Sequence, residues 1–400
     1  MRTVFRALTV ARITIDYTPA IHQDAGIARL TREIVRAALA LGAPHEFSLF
    51  VMGRPAPDVP LSNLMNTREL PLRVSRLSDR WLYRLWFRAN VRAPVQLFSG
   101  RCDLYHATDF VLPPLQGNTP GVLTVHDLSF ERDPDSAPPR LIPFLRRVVP
   151  DSARRAAHII ADSHATAQDL AALYDIPPEK ITVIHSGVDE RFTPYRDTLY
   201  MRRRRDYVLK KYGIGDAPFI LTVGTMQRRK NHLRLVQAFA KLGRAGARAS
   251  LLVIAGGKGW LYDEVYAEVQ RLGLSERVRF IGYVEDVDLP HLYRAAAVFA
   301  FPSTYEGFGL PPLEAMASGV PVVTSNVSSL PEVVGDAGLQ VNPLDVDALA
   351  RALDQALNDE VWRRHCIERG LARAAQFTWQ RAAERLLAVY ERVLRQYNRL

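Results

Sequence analysis

Six short strand-like runs in the second half of the chain alternate with helical segments, and this alternation restricts the fold more than any other feature. The runs are FILTVG (219–224), LLVIAGG (251–257), VRFIGYV (278–284), VFAFPS (298–303), VPVVTS (320–325) and GLQVNP (338–343). Strands that alternate with helices give parallel sheets covered by helices. The first half repeats the theme less regularly, in RALTVARITIDY, EFSLFVM, CDLYHA, PGVLTVHD, AHIIADS and ITVIHSG. Between Gly26 and Leu41 the residues Ile27, Leu30, Ile34, Ala38 and Leu41 fall on one helical face, with Gly42 as a stop. A chain of 400 residues, 48% hydrophobic, has the length and the apolar content for two domains with separate cores. No internal repeat or low-complexity tract is present.

One run leads into a denser signal. From Phe301 to Gly319 the chain reads FPSTYEGFGLPPLEAMASG, with seven residues between Glu306 and Glu314. Proline suits the first turn of a helix and glycine the position after its end. Pro311 or Pro312 therefore opens a short helix and Gly319 closes it. Glu306 falls in the loop before that helix, and Glu314 in its first turns. The amides of Gly309 and Leu310 point out of the helix start, where an anion is favoured. Carboxylates on both sides of a phosphate-sized hole suit a ligand with hydroxyls at each end of a phosphate, as in a sugar nucleotide.

Other segments carry charge at strand ends. FILTVG runs into Thr225–Asn231, where Arg229 and Lys230 precede a helix start that Asn231 is placed to cap. Arginine binds a diphosphate as a fork and lysine as a point charge. LTVHDLSFERDP puts His126 and Asp127 at the carboxyl end of a strand, the edge at which open parallel sheets bind ligands. His106 in LYHATDF has a similar position. Three Asp-x-Asp strings, Asp133–Asp135, Asp286–Asp288 and Asp345–Asp347, lie beside prolines or helix starts and read as caps rather than metal ligands.

The net charge of +10 favours anionic partners. It is carried almost wholly by arginine, since lysine occurs at just six positions. Between Arg68 and Arg101, Arg73, Arg76, Arg80, Arg84, Arg88 and Arg92 interleave with Trp81, Tyr83, Leu85, Trp86 and Phe87. This spacing fits a basic helix, either lying on an anionic membrane or packing its aromatics inward. No apolar run approaches the roughly 20 residues that span a bilayer. The amino terminus reads as a first strand and not as an export signal. Cys102 and Cys366 are then expected as free thiols in a reducing cytoplasm.

The paired glutamates, with the glycines, the double proline and the following GVPVVTS, resemble the signature of the family-4 retaining glycosyltransferases. Arg-Lys-Asn (229–231), Gly-Gly-Lys-Gly-Trp (256–260) and Gly-Tyr-Val-Glu-Asp (282–286) resemble a mannosyltransferase-like branch. SerHisAlaThr (163–166) and HisSerGlyValAspGluArgPheThrPro (185–194) extend the likeness into the first half. There are departures. Thr225 follows Gly224 where many members have arginine, which leaves Arg228 and Arg229 as candidates for that cation. Ala25-Gly26 stands where a Gly-Gly pair is common.

The resemblance implies a GT-B fold, with two Rossmann-like domains facing across a cleft and the C-terminal helix crossing back to the first. The expected domains are 1–198, joined by the returning helix at about 380–400, and 199–379, with the polar, basic stretch Tyr195–Tyr212, which contains Arg202–Arg205, as the connection between the halves. It implies transfer of a hexosyl, in this branch mannosyl, unit from a nucleotide-diphosphate sugar to a glycan or lipid-linked acceptor on the cytoplasmic side, with anionic membrane as a peripheral contact and nucleic acid not a partner. GDP-mannose is the expected donor and a UDP-hexose the near alternative, with no cofactor and no metal. His126 and Glu306 are the expected catalytic residues. Gly26, Arg229, Lys230, Phe308, Gly309, Leu310 and Glu314 are the expected donor contacts. Arg229, Lys230 and the helix-start amides hold the diphosphate, Glu314 the ribose, and Glu306 the sugar, while His126 positions that sugar. A donor phosphate oxygen takes the acceptor proton, and no covalent nucleophile is assigned. A GT-B sugar-nucleotide epimerase and a basic nucleic-acid-binding protein are the alternatives from other classes.

Overall fold

The computed structural model describes residues 10–23, 26–55, 70–136, 138–242, 251–260 and 263–399. Its strands are, in chain order, β1 (Arg12–Asp16), β2 (Glu46–Val51), β3 (Leu72–Val74), β4 (Leu104–Ala107), β5 (Gly121–Val125), β6 (His158–Ala161), β7 (Ile181–Val183), β8 (Phe219–Val223), β9 (Met226–Gln227), β10 (Leu251–Ala255), β11 (Lys258–Trp260), β12 (Val278–Gly282), β13 (Val298–Phe301), β14 (Val322–Ser325) and β15 (Leu339–Val341). Two compact units result. One contains 1–128, 143–187 and 379–400; the other contains 129–142 and 188–378.

The first unit is built on a parallel sheet in the order β3-β2-β1-β4-β5-β6-β7. Every expected strand is present. The expected face of the helix Gly26–Ala40 is rotated, since Ala28, Thr31, Ile34, Val35 and Ala38 are buried and Leu41 is exposed. The final helix, Trp379–Gln396, returns to this unit, and its stripe Ala382, Leu386, Val389 and Val393 joins the core around β1. His106 fastens it: Nδ1 lies 2.6 Å from the Tyr390 hydroxyl and Nε2 2.8 Å from Thr124 Oγ1.

The basic segment expected as one helix is broken instead into β3, a short helix Asp79–Tyr83 and a wide turn Arg84–Arg88. Its aromatics mostly pack inward. Trp86 is buried and donates its Nε1–H to Ala93 O (2.8 Å), and Tyr83 and Phe87 pack on Phe144. Arg68 lies outside the described residues. Cys102 and Cys366 are both buried and free.

The second unit holds a six-stranded parallel sheet, β12-β10-β8-β13-β14-β15, and the small pair β9-β11. Two apolar clusters cover the faces of its sheet, one around Phe299, Leu313 and Val333, the other around Ile220, Leu235 and Leu353. The basic stretch expected as an inter-domain connection is the helix Leu199–Lys211 of this unit. The reason is Asp288, only 1% exposed, which draws in Arg204 (2.9 Å), Lys211 (2.7 Å) and the Tyr212 hydroxyl (3.2 Å). An anion buried this deeply is costly without such partners. No helix among the described residues is long and apolar enough to cross a membrane.

Candidate functional site

Counted within its own unit, the second sheet runs 3-2-1-4-5-6, so the winding direction reverses between β8 and β13. Such a reversal leaves a crevice at the carboxyl ends of the two strands, where open α/β sheets take their ligands. The loops that leave these two strands carry Arg229, Lys230 and Glu306.

Local chemistry shapes the first loop. Gly224 and Gly256 adopt φ of 154° and 151° at the ends of β8 and β10, and a Cβ on Gly256 would lie 2.0 Å from Gly224 O. Only glycine permits this approach. A tight turn, Arg228–Lys230, then presents the cations, and Asn231 ends it in the left-handed region at φ 59°. Asn231 holds the N-cap position of the helix His232–Lys241, but its side chain does not cap. Its Nδ2 donates instead to Pro302 O (2.9 Å) and Pro343 O (2.7 Å), which ties the loop to the ends of β13 and β15.

The second loop meets the first through charge. Glu306 Oε1 is 2.6 Å from Lys230 Nζ, and Oε2 is 2.9 Å from an Arg229 nitrogen, Nη1. All three side chains are largely buried, at 8%, 11% and 18% exposure. Arg229 also donates to Tyr305 O (3.0 Å) and Gln227 Oε1 (3.2 Å), and Thr304 N–H donates to Arg229 O (2.8 Å). The Lys230 ammonium stands 4.7 Å from the Phe301 ring centre. Burial alone would raise the Glu306 pKa, but Arg229 and Lys230 outweigh it and hold the carboxyl down at about 2. Two cations thus share one carboxylate in a largely buried cluster, where charges act on one another strongly.

The helix after Glu306 is Leu310–Ala317, with Pro311 and Pro312 in its first turn, as the sequence indicates. Gly309 precedes it at φ 121°. At the far end Gly319 has φ 72°, and the bonds Gly319 N to Met316 O and Val320 N to Ala315 O form a Schellman closure. Glu314 is buried on this helix, and Leu310 is half-buried against the core. The Phe308 ring packs on Phe377 (5.9 Å between centres) in the core.

Three further features have the following places. Gly26 opens its helix as an exposed residue of the first unit, and Ala25 lies outside the described residues. His126 has both nitrogens engaged inside that unit, Nδ1 2.8 Å from Asp162 Oδ2 and Nε2 2.9 Å from Thr108 O. A carbonyl can only accept, so Nε2 carries a proton. Burial opposes a charged ring, but Asp162 and then Asp109 prevail and lift its pKa to about 9. Both ring nitrogens are thus bonded within the first unit. The Asp-x-Asp strings are bonded within the protein: Asp135 pairs with Arg228 (3.0 Å), Thr304 donates to Asp133 (3.4 Å), and Asp345 caps Val346–Asn358 through Ala348 N (2.8 Å). Asp288 pairs with cations rather than capping.

Sequence reasoning missed Ser328 and Ser329, which bond the Glu306 backbone. Their SerSerLeuProGlu context reads as a cap for the next helix, and that signal points the wrong way.

Residues 205–373 match the family model "Glycosyl transferases group 1", and residues 25–192 match "Glycosyltransferase Family 4". The chain is 37% identical over 288 residues to the O-antigen chain mannosyltransferase B of Escherichia coli, covering 72% of this chain and 74% of that protein. It is 34% identical over 242 residues to the serotype-specific mannosyltransferase WbdA of Escherichia coli, spanning 60% of this chain but 29% of that longer protein. In fold it is similar to Anabaena Alr3699/HepE in complex with UDP and glucose, at a TM-score of 0.72 and 19% identity over 95% of this chain and 99% of that one. Taken with the doubly wound sheets and the returning helix, these matches establish that the chain belongs to glycosyltransferase family 4, on a GT-B fold.

Proposed function

We propose that the chain transfers a mannosyl unit from GDP-mannose, with retention of configuration, to a glycan or lipid-linked acceptor. The observation that carries this reading is the buried Arg229–Glu306–Lys230 triad at the reversal of the second sheet. Two cations and the helix start at Gly309 and Leu310 suit a diphosphate, whose charge grows as it leaves. Glu314 accepts from the ribose hydroxyls. Glu306, ionised at any working pH, accepts from the hydroxyls of the transferred sugar. His126 acts indirectly by holding Thr108 and Asp162.

The mannosyl preference is supported by the two relatives named as mannosyltransferases. A UDP-hexose is the near alternative, because the similar HepE structure holds UDP and glucose. A thermal-shift panel of GDP-mannose, UDP-glucose, UDP-N-acetylglucosamine and dTDP-sugars distinguishes them, since a ligand of the native state raises the melting temperature. GDP-mannose should give the largest shift and acceptor-dependent product. A shift confined to UDP-glucose would replace the donor. Conversion of the donor without any acceptor would replace the reaction by epimerisation.

A peripheral membrane contact rests on the surface of the segment 72–92. Trp81 is 60% exposed beneath Arg84, with Leu77 and Val74 also exposed among arginines. Such a surface suits anionic lipid. Flotation with phosphatidylglycerol vesicles at low salt should carry the protein upward; its absence from the vesicle fraction would end this part of the reading.

A further inference from the structure

Two serines after β14 use their hydroxyls in an unexpected way. Ser329 occupies the N-cap of the helix Leu330–Val334, and Ser329 with Glu332 has the spacing of a capping box. Yet Ser329 makes no cap bond. Its hydroxyl, fully buried, faces Phe308 O at 2.6 Å and Glu306 O at 2.9 Å. Ser328 adopts φ 58°, a left-handed conformation that is disfavoured for a non-glycine residue. In that conformation its Oγ accepts from Glu306 N–H (3.2 Å) and donates to Glu306 O (2.5 Å). Both backbone groups of Glu306 are thus bound by side chains from a neighbouring loop.

We propose that Ser328 and Ser329 are positioning residues for transfer: they fix the Glu306–Phe308 loop so that the Glu306 carboxylate meets the donor sugar in one orientation. Three features point the same way. A helix start gives up its cap, a backbone residue holds a disfavoured conformation, and the resulting bonds converge on the one residue whose carboxylate completes the triad. Local strain that the surroundings enforce is characteristic of functional loops. On the other side of Glu306 the two cations already fix the carboxylate end. The serines fix the backbone end, so the side chain is held at both. The inference rests on the reading that Glu306 contacts the donor sugar.

The test uses Ser328→Gly, Ser329→Ala and Ser329→Thr in the full chain. Turnover of GDP-mannose and UDP-glucose, binding of GDP and UDP, and melting temperature are measured in parallel. Ser328→Gly removes the hydroxyl and also relieves the left-handed strain. It should leave the melting temperature unchanged or higher while lowering kcat about tenfold to a hundredfold, the loss that a misplaced reacting geometry brings. Ser329→Ala should lower kcat similarly, with nucleoside diphosphate affinity within about threefold of the parent because the cations are untouched, and Ser329→Thr should recover most of it. Turnover of Ser328→Gly and Ser329→Ala within twofold of the parent would overturn the proposal, as would a loss confined to nucleotide affinity. Glu306→Gln separates the two levels. An inactive Glu306→Gln with fully active serine variants sinks the positioning role alone, whereas a fully active Glu306→Gln sinks the reading of Glu306 itself.

Discussion

Lys230 Nζ lies 2.6 Å from Glu306 Oε1, joining residues far apart in sequence at the ends of two adjacent strands. The contact makes the two sequence elements, Arg-Lys-Asn and the paired-glutamate motif, parts of one device. Each balances the other in a largely buried cluster that Arg229 completes.

The first prediction concerns that coupling. Lys230→Ala should weaken nucleoside diphosphate binding, and Glu306→Gln should lower kcat by about a hundredfold or more while changing nucleotide affinity little. The double variant should show a stability coupling of about 0.5–3 kcal/mol, because the residues share one network. Additive melting shifts across the cycle would contradict the contact.

Acid stability follows from Glu306. Its folded pKa, about 2, lies below the ordinary carboxylate range, so its contribution is complete above that range and is lost as pH falls toward 2. Glu306→Gln should flatten the acid limb of the stability curve between about pH 5 and pH 2. An unchanged acid limb in urea titrations would refute the assignment.

The first unit should show the opposite slope. Burial raises Asp16 to about 7, and Asp162 and Asp109 help lift His126 to about 9 against burial. For both groups the folded state holds protons that the unfolded state has released. Stability should therefore decline as pH rises, through Asp16 from about 4 to 7 and through His126 from about 6.5 to 9. Asp16→Asn should shrink the decline in the lower window, to which Asp109 and Asp162, also raised by burial, contribute, and leave the upper one. The check is urea unfolding at half-unit pH steps, and a parent curve that rises across both windows would sink it.

The glycines at the strand ends give a paired prediction. Gly256→Ala would place a Cβ 2.0 Å from Gly224 O, whereas Gly257→Ala meets nothing within 4 Å. The first should destabilise by about 3 kcal/mol or more and the second by less than about 1 kcal/mol. Equal melting temperatures for the two variants would show that the approach of β8 and β10 is looser than described.

Tyr390→Phe tests the returning helix. It removes the partner of His106 Nδ1 inside a closed core and should cost about 1–3 kcal/mol. Burial already holds His106 neutral, with its pKa down at about 3, so the loss should not depend on pH above 5. A pH-dependent loss in calorimetry would contradict that protonation state.

Local sequence set the elements and the chemistry available at their ends. Apolar runs fixed the strands, Pro311 and Gly319 bounded the helix of Glu314, and residue types marked Arg229, Lys230 and Glu306 as a charged set. These are local properties, carried by φ preferences and hydrophobic spacing over a few residues. Tertiary structure decided which groups meet. Asn231 looks like a cap and became a tie between strand ends, because two proline carbonyls reach its amide. Ser329 looks like a cap and turned to the Glu306 loop. His126 looks like a ligand and was claimed by Asp162. The basic stretch before Tyr212 looks like a linker and was drawn into a helix by Asp288. In each case a polar group met a partner distant in sequence, and burial favours whichever arrangement leaves fewest such groups unpaired, a balance set by the whole packed unit rather than by neighbours in the chain.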